Sequence, residues 1–140
     1  MADIKTPAAN ATMAVASSAL RAQQARMRII AENLANANST SRVAGGDPYR
    51  RQVPIFEPKA VGGGEGVSMS RVEADKKAFR TVYDPGHPAA NGEGYVALPN
   101  VDTLIEALDM KEAQRAYEAN LNVIETARSM EMRTLELLKR

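Results

Sequence analysis

The sequence predicts an α+β fold: paired N- and C-terminal helices form a coiled-coil-like axial core, with a small irregular β-rich insertion between them. All seven prolines and all nine glycines stay outside residues 10 to 38 and 100 to 140. A proline costs a helix interior about 3 kcal/mol and a glycine about 1 kcal/mol, so those two stretches are the natural helices. Both repeat apolar residues at helical spacing, whereas the breaker-rich middle holds short alternating runs. The expected organisation is a flexible N-terminus over 1 to 10, an N-terminal axial helix over 11 to 38, a β-rich module over 39 to 99, and a C-terminal axial helix over 100 to 140.

The first helix is expected from Ala11 to Ala37, about 40 Å at 1.5 Å per residue, with Asn10 as its N-cap. Met13, Leu20, Met27 and Leu34 recur every seven residues, with Ala16, Ile30 and Ala37 three residues on and polar Gln23 interrupting that second row. This is an a/d seam with one polar member. Asn36, Asn38, Ser39, Thr40 and Ser41 compete with helical backbone bonding and mark its end.

The second helix is expected from Val101 to Leu138, close to 57 Å long, with Asn100 or Asp102 capping it and Glu106 completing a capping box. Met110, Ala113, Tyr117, Leu121, Ile124, Ala127, Leu135 and Leu138 fall near one side, and Ala116, Val123, Met130 and Leu137 widen it. That surface is broader than one partner helix needs, which implies two partners, one of them available from another chain. The expected assembly interface is therefore Met13, Leu20, Met27, Ile30, Leu34, Met110, Tyr117, Leu121, Ile124, Met130, Leu135 and Leu138. Charge agrees with pairing: residues 10 to 38 carry a net +2 and residues 100 to 140 a net −2.

In the middle, Tyr49 to Val53 with Ile55 and Phe56 reads as a strand that Pro54 demotes to an edge or to a strand with a bend. Val67 to Glu73 alternates, and Ala78 to Tyr83 and Tyr95 to Leu98 are further strands. Gly45 to Pro48, Gly62 to Gly66 and Tyr83 to Pro88 are turn or loop signals, the glycine run reading as a flexible loop.

Composition closes off several chemistries. Without cysteine there is no disulfide and no thiolate metal site. A net charge of +1 offers no electrostatic funnel for nucleic acid. Arg50 and Arg51 beside Tyr49, and Lys76, Lys77 and Arg80, are interleaved with Glu57, Glu73 and Asp75, as on a solvated or subunit-facing surface. His87, the only histidine, sits in a Pro/Gly turn near Asp84 and Glu93 with no activated nucleophile in sequence, so it reads as a loop residue rather than a catalytic base. The Gly62 to Gly66 run lacks the Lys-Ser or Lys-Thr of a nucleotide-binding loop. No catalytic, cofactor or metal site is expected. The first thirty residues hold no secretory signal and no stretch long enough to span a bilayer, which by itself points to the cytoplasm.

Several ordered motifs resemble the flagellar basal-body rod family, and within it the proximal-rod C branch. They are Ser18-Ala-Leu-Arg-Ala-Gln23, Ala31-Glu-Asn-Leu-Ala-Asn-Ala-Asn38, Tyr83-Asp-Pro-Gly-His-Pro88, Gly94-Tyr-Val, Leu98-Pro-Asn-Val-Asp102, Arg115-Ala-Tyr-Glu-Ala-Asn120 and Ala127-Arg-Ser-Met130. The resemblance covers nearly the whole chain after Asn10. It implies a structural subunit of the periplasmic drive shaft, whose terminal helices pack with those of its neighbours into a hollow tube that transmits torque. It also implies passage through the flagellar type III export apparatus without signal cleavage. The implied partners are copies of the chain, other rod proteins and the hook-basal-body adaptor at the inner-membrane ring, with no nucleic acid and no membrane span. The alternatives are a soluble oligomeric adaptor or a subunit of another rod position.

Overall fold

The computed structural model describes residues 7 to 139, so most of the expected flexible segment, residues 1 to 6, lies outside the described residues. The order of elements is α1 (Pro7–Ala35), β1 (Gln52–Val61), β2 (Gly64–Ala74), β3 (Arg80–Tyr83), β4 (Tyr95–Leu98) and α2 (Thr103–Leu138). The fold is α+β, with two long helices flanking two separate two-stranded sheets.

The helix α1 opens earlier than Ala11, so Asn10 lies within the helix and is not its cap. The start at Pro7 is compatible with proline because the first-turn N–H groups lack intrahelical acceptors anyway. It closes at Ala35, where Asn36 donates its side-chain amide to the Glu32 carbonyl at 2.8 Å and Ser39 bonds the Asn36 carbonyl at 2.9 Å. Those contacts hold the expected helix stop. At the start of α2, the Asp102 carboxylate accepts from the backbone N–H groups of Leu104 at 3.0 Å and Ile105 at 3.4 Å. Asp102 is therefore the N-cap, and Asn100 serves elsewhere.

Strands β1 and β2 form a hairpin, and its turn is Gly62-Gly63, with φ of 53° and 83°. Two consecutive residues at positive φ match the twist of the flanking strands, a demand that glycine meets without steric cost. The expected flexible loop is thus a tight turn, and Gly64 and Gly66 belong to β2. Pro54 and Pro58 are both accommodated in β1 because a two-stranded sheet leaves each strand one unpaired edge. β3 and β4 pair antiparallel, Arg80 opposite Leu98 and Tyr83 opposite Tyr95.

The chain forms two compact units. One comprises residues up to 26, 55–71 and 112 onward, that is, the first part of α1, the hairpin tip and most of α2. Its buried apolar residues are Ala16, Ala22 and Ala113. Small side chains let backbones approach closely but remove little area from water at roughly 25 cal/mol per Å². The hairpin tip uses the same device. A Cβ on Gly62 would stand 2.5 Å from the Ala14 Cβ, and one on Gly66 2.4 Å from the Ser18 hydroxyl. Ser18 fastens the hairpin by accepting from the Val67 N–H at 3.2 Å, while its own O–H donates to the Val15 carbonyl at 2.7 Å.

The other unit comprises residues 27–54 and 72–111. Its buried apolar residues are Ile29, Ile30, Ala37, Ala89, Val96 and Val101, yet Glu106 and Asn33 rank among its largest fully buried side chains. Short sheets leave many strand-edge donors and acceptors, and polar side chains bring partners to them.

Candidate assembly interface

The structure brings Met13, Leu20, Tyr117, Leu121, Ile124, Met130, Leu135 and Leu138 into the first unit and Met27, Ile30, Leu34 and Met110 into the second. Ile30 is buried; Met13, Leu20, Met27, Leu34, Met110, Tyr117, Leu121 and Ile124 are half-buried; Met130, Leu135 and Leu138 are exposed. In the last turns of α2, Met132 and Leu137 are exposed as well, Leu137 to 71%. An uncovered apolar row of this kind is uncommon on a solitary soluble chain. At its other end α2 exposes Leu104, Ile105 and Leu108, which the sequence reading of the apolar face did not include. Their spacing of one and four residues directly after the Asp102 cap was the available signal.

Gln23, the polar member of the α1 seam, has a buried side-chain oxygen with no hydrogen-bond partner among the described residues. Such a group costs about 1–3 kcal/mol. In α1 and α2 the ion pair Arg26–Glu112 spans 3.5 Å, and its Glu112 side is largely exposed, so it contributes orientation more than stability.

The second unit holds a polar clamp that sequence reasoning missed. Arg51, expected on a solvated or subunit-facing surface, directs its Nε to the Glu106 carboxylate, its Nη1 to Asp75 at 3.2 Å and its Nη2 to Asp109 at 3.8 Å. Glu106 is 1% exposed and one of its oxygens has no partner among the described residues. It sits four residues after Asp102, and rather than closing a capping box it binds Arg51. The Arg51 guanidinium loses solvent on burial, but the Glu106 and Asp75 carboxylates outweigh that loss and raise its pKa. The Lys77 N–H, donating to the Asp75 carboxylate at 2.9 Å, lowers the pKa of Asp75, and Arg51 acts in the same direction.

Two asparagines complete the clamp. Asn33 of α1 donates to the Gln52 carbonyl and accepts from the Gln52 N–H, both at 2.9 Å, as a neighbouring strand would. The Tyr49 hydroxyl donates to the same Asn33 oxygen at 2.7 Å. Burial, with the Glu32 and Glu106 charges, pushes the Tyr49 phenol up. Asn100 accepts from the Arg51 N–H at 2.7 Å and donates to the Asp75 and Lys77 carbonyls at 3.0 and 2.9 Å. Arg50 donates to those same two carbonyls and lies 4.1 Å above the Phe79 ring. Each amide satisfies backbone groups at the hairpin base that the short sheet leaves unpaired. Little in residue spacing announces this, because apart from the local Lys77–Asp75 bond the hydrogen-bonded and ion-paired partners are 16 to 58 positions apart.

His87 accepts from the Ala89 N–H at 3.0 Å through Nδ1, and its own N–H donates to the Asp84 carbonyl at 3.1 Å. It shapes the loop between β3 and β4. At the mouth of that loop Tyr83 and Tyr95 meet edge to face with centroids 5.3 Å apart. Gly94 backs the pair at a φ of 87°, where a Cβ would lie 2.9 Å from the Tyr83 ring. Among the described residues no cluster of three or more histidines and acids could hold a metal, and no helix is long and apolar enough to cross a membrane.

Comparison with known proteins places these features. Residues 13–42 match the model of the flagella basal body rod protein family, and residues 93–137 match the C-terminal model of flagellar basal body rod FlgEFG proteins. The flagellar basal-body rod protein FlgC of Agrobacterium fabrum is 46% identical over 132 residues, covering 93% of this chain and 95% of its own length. The FlgC proteins of Salmonella typhimurium and Bacillus subtilis are 40% and 37% identical, covering 88% and 89% of this chain and 92% and 95% of their own. Both matched segments carry a piece of the clamp, Asn33 in the first and Asn100 with Glu106 in the second. The chain belongs to the flagellar basal-body rod protein family as a FlgC-type structural subunit, not an enzyme.

Proposed function

We propose that the chain builds the proximal rod, the axial shaft that carries torque across the periplasm. The observation that supports this best is the row of large apolar side chains exposed along the last turns of α2, from Met130 to Leu138. Apolar surface of that extent gains a dry environment only against neighbouring helices. The terminal segments, 11 to 38 and 100 to 140, act as the axial elements through α1 and α2, and residues 39 to 99 contact neighbouring subunits or surrounding rings. Met13, Leu20, Met27, Ile30, Leu34, Met110, Tyr117, Leu121, Ile124, Met130, Leu135 and Leu138 form the packing surface. The partners are copies of the chain, other rod proteins and the hook-basal-body adaptor. The subunit reaches its place through the flagellar type III export apparatus with its N-terminus uncleaved.

Locating the chain in the density of a purified basal body tests the position. Leu34→Asp or Ile124→Asp should block incorporation, because an unpaired charge enclosed in an apolar contact costs several kcal/mol. Rods of normal length and composition containing either variant would remove those residues from the packing surface.

A further inference from the structure

In the first unit, α1 and the β1–β2 hairpin enclose a cleft of about 410 Å³. Ala22, Val61, Val67 and Met69 give it an apolar lining, Ser18 and Ser68 a polar one, and Arg21 and Lys59 are its cations. No carboxylate lines it. Among the described residues, no ion pair involves either cation. Apolar lining residues beside two positive charges without an ion pair fit an apolar side chain flanked by acids.

The same chain carries such a segment. On α2, Glu125, Met132 and Glu136 are separated by seven and four residues, which sets them on one helix face. All three are exposed, Met132 to 60%. Among the described residues the two glutamates also have no ion pair. The Arg26–Glu112 ion pair between α1 and α2 in this unit uses neither group.

We infer that the α1–hairpin cleft is a receptor for the Glu125–Met132–Glu136 face of α2 from a second copy of the chain. This rests on the rod reading and names the contact through which one copy would engage the next. Met132 packs against the apolar lining residues, and the two carboxylates meet Arg21 and Lys59. Receptor and ligand are different patches of one chain, so the contact is heterologous and repeats from copy to copy, as a ring or helical lattice requires. The hairpin tip is seated on α1 through Gly62, Gly64 and Gly66, so the cleft wall is set before the second copy arrives.

The chain contains no cysteine, so introduced thiols report cleanly. Ser68→Cys, in the cleft lining, and Met132→Cys are carried on separately tagged chains in cells lacking the native copy. Purified basal bodies are then treated with a short bismaleimide. The expected product is a dimer bearing both tags, absent when either variant is expressed alone. Reversing the cleft charges with Arg21→Glu and Lys59→Glu should lower its yield about tenfold or more, since like charges then face each other. Adding Glu125→Lys and Glu136→Lys to the Met132→Cys chain should restore it.

Basal bodies that contain both chains but yield no mixed dimer would overturn the contact and leave the rod assignment standing. A cross-link to a different basal-body protein in place of the mixed dimer overturns it too, as does failure of the charge swap to restore yield in variants whose tyrosine near-ultraviolet dichroism is native. Absence of the unaltered chain from basal bodies defeats the rod assignment itself. Should either cysteine variant fail to incorporate, Met69→Cys and Ser129→Cys replace them.

Discussion

Removing Arg51 should damage the protein far more than removing its principal partner, Glu106. Glu106 is 1% exposed and, among the described residues, Arg51 is its one ion-pair partner, whereas Arg51 is 23% exposed and has Asp75 and Asp109 as well. Arg51→Ala strands a carboxylate without solvent or countercharge, a loss of about 3–5 kcal/mol. Glu106→Ala leaves a guanidinium with two acids and some water, at about 1–3 kcal/mol. Glu106→Gln keeps an acceptor for Nε and falls lower still. Arg51→Lys keeps the charge but loses the planar fork that reaches three carboxylates, so it lies between Arg51→Ala and Glu106→Gln. Exchanging both partners for apolar residues, Arg51→Met with Glu106→Leu, should recover much of the loss. Urea titration followed by tyrosine emission reads the relevant unit, because Tyr49, Tyr83 and Tyr95 all lie in it. Equal losses for Arg51→Ala and Glu106→Ala would refute the asymmetry, and a loss below about 1 kcal/mol for Arg51→Ala would show that the clamp does not bear on folding.

Asn33→Ala removes three hydrogen bonds and leaves both Gln52 backbone groups without their partner, so it should cost about 3 kcal/mol by urea titration. Gly62→Ala should be worse than Gly63→Ala: both sit at positive φ, which costs an alanine about 1 kcal/mol, but only the first meets a neighbour, at 2.5 Å from Ala14. Thermal melts of the two variants should differ, and equal melts would refute the close hairpin packing. Asp75 has its pKa lowered in the folded chain, by the Lys77 N–H first and then by Arg51. Its contribution is therefore complete above the ordinary aspartate value near about 4 and is lost as pH falls through the lower folded value. Acid titration of Asp75→Asn should show a shallower loss of stability in that window than the native chain.

The two long helices were legible because proline and glycine are expensive inside a helix and their absence from two stretches leaves one economical backbone state. The β4 boundary, Tyr95 to Leu98, and the stop after α1 followed from local chemistry in the same way. The glycine run was misread as a flexible loop, since composition reports what a backbone can do and not what it packs against. Only the proximity of Ala14 and Ser18 turns those glycines into a required close approach.

Local chemistry by itself determined that this chain has two terminal helices, a breaker-rich middle and a broad apolar stripe on the second helix. Tertiary structure decided which polar residues are buried and whom they serve. Arg51 and Glu106 lie 55 positions apart, and Asn33 and Gln52 lie 19 apart. Helix and turn preferences act over a few residues and leave periodic traces, but a hydrogen bond between distant segments leaves none. It exists only once the backbone has brought donor and acceptor within about 3 Å of each other.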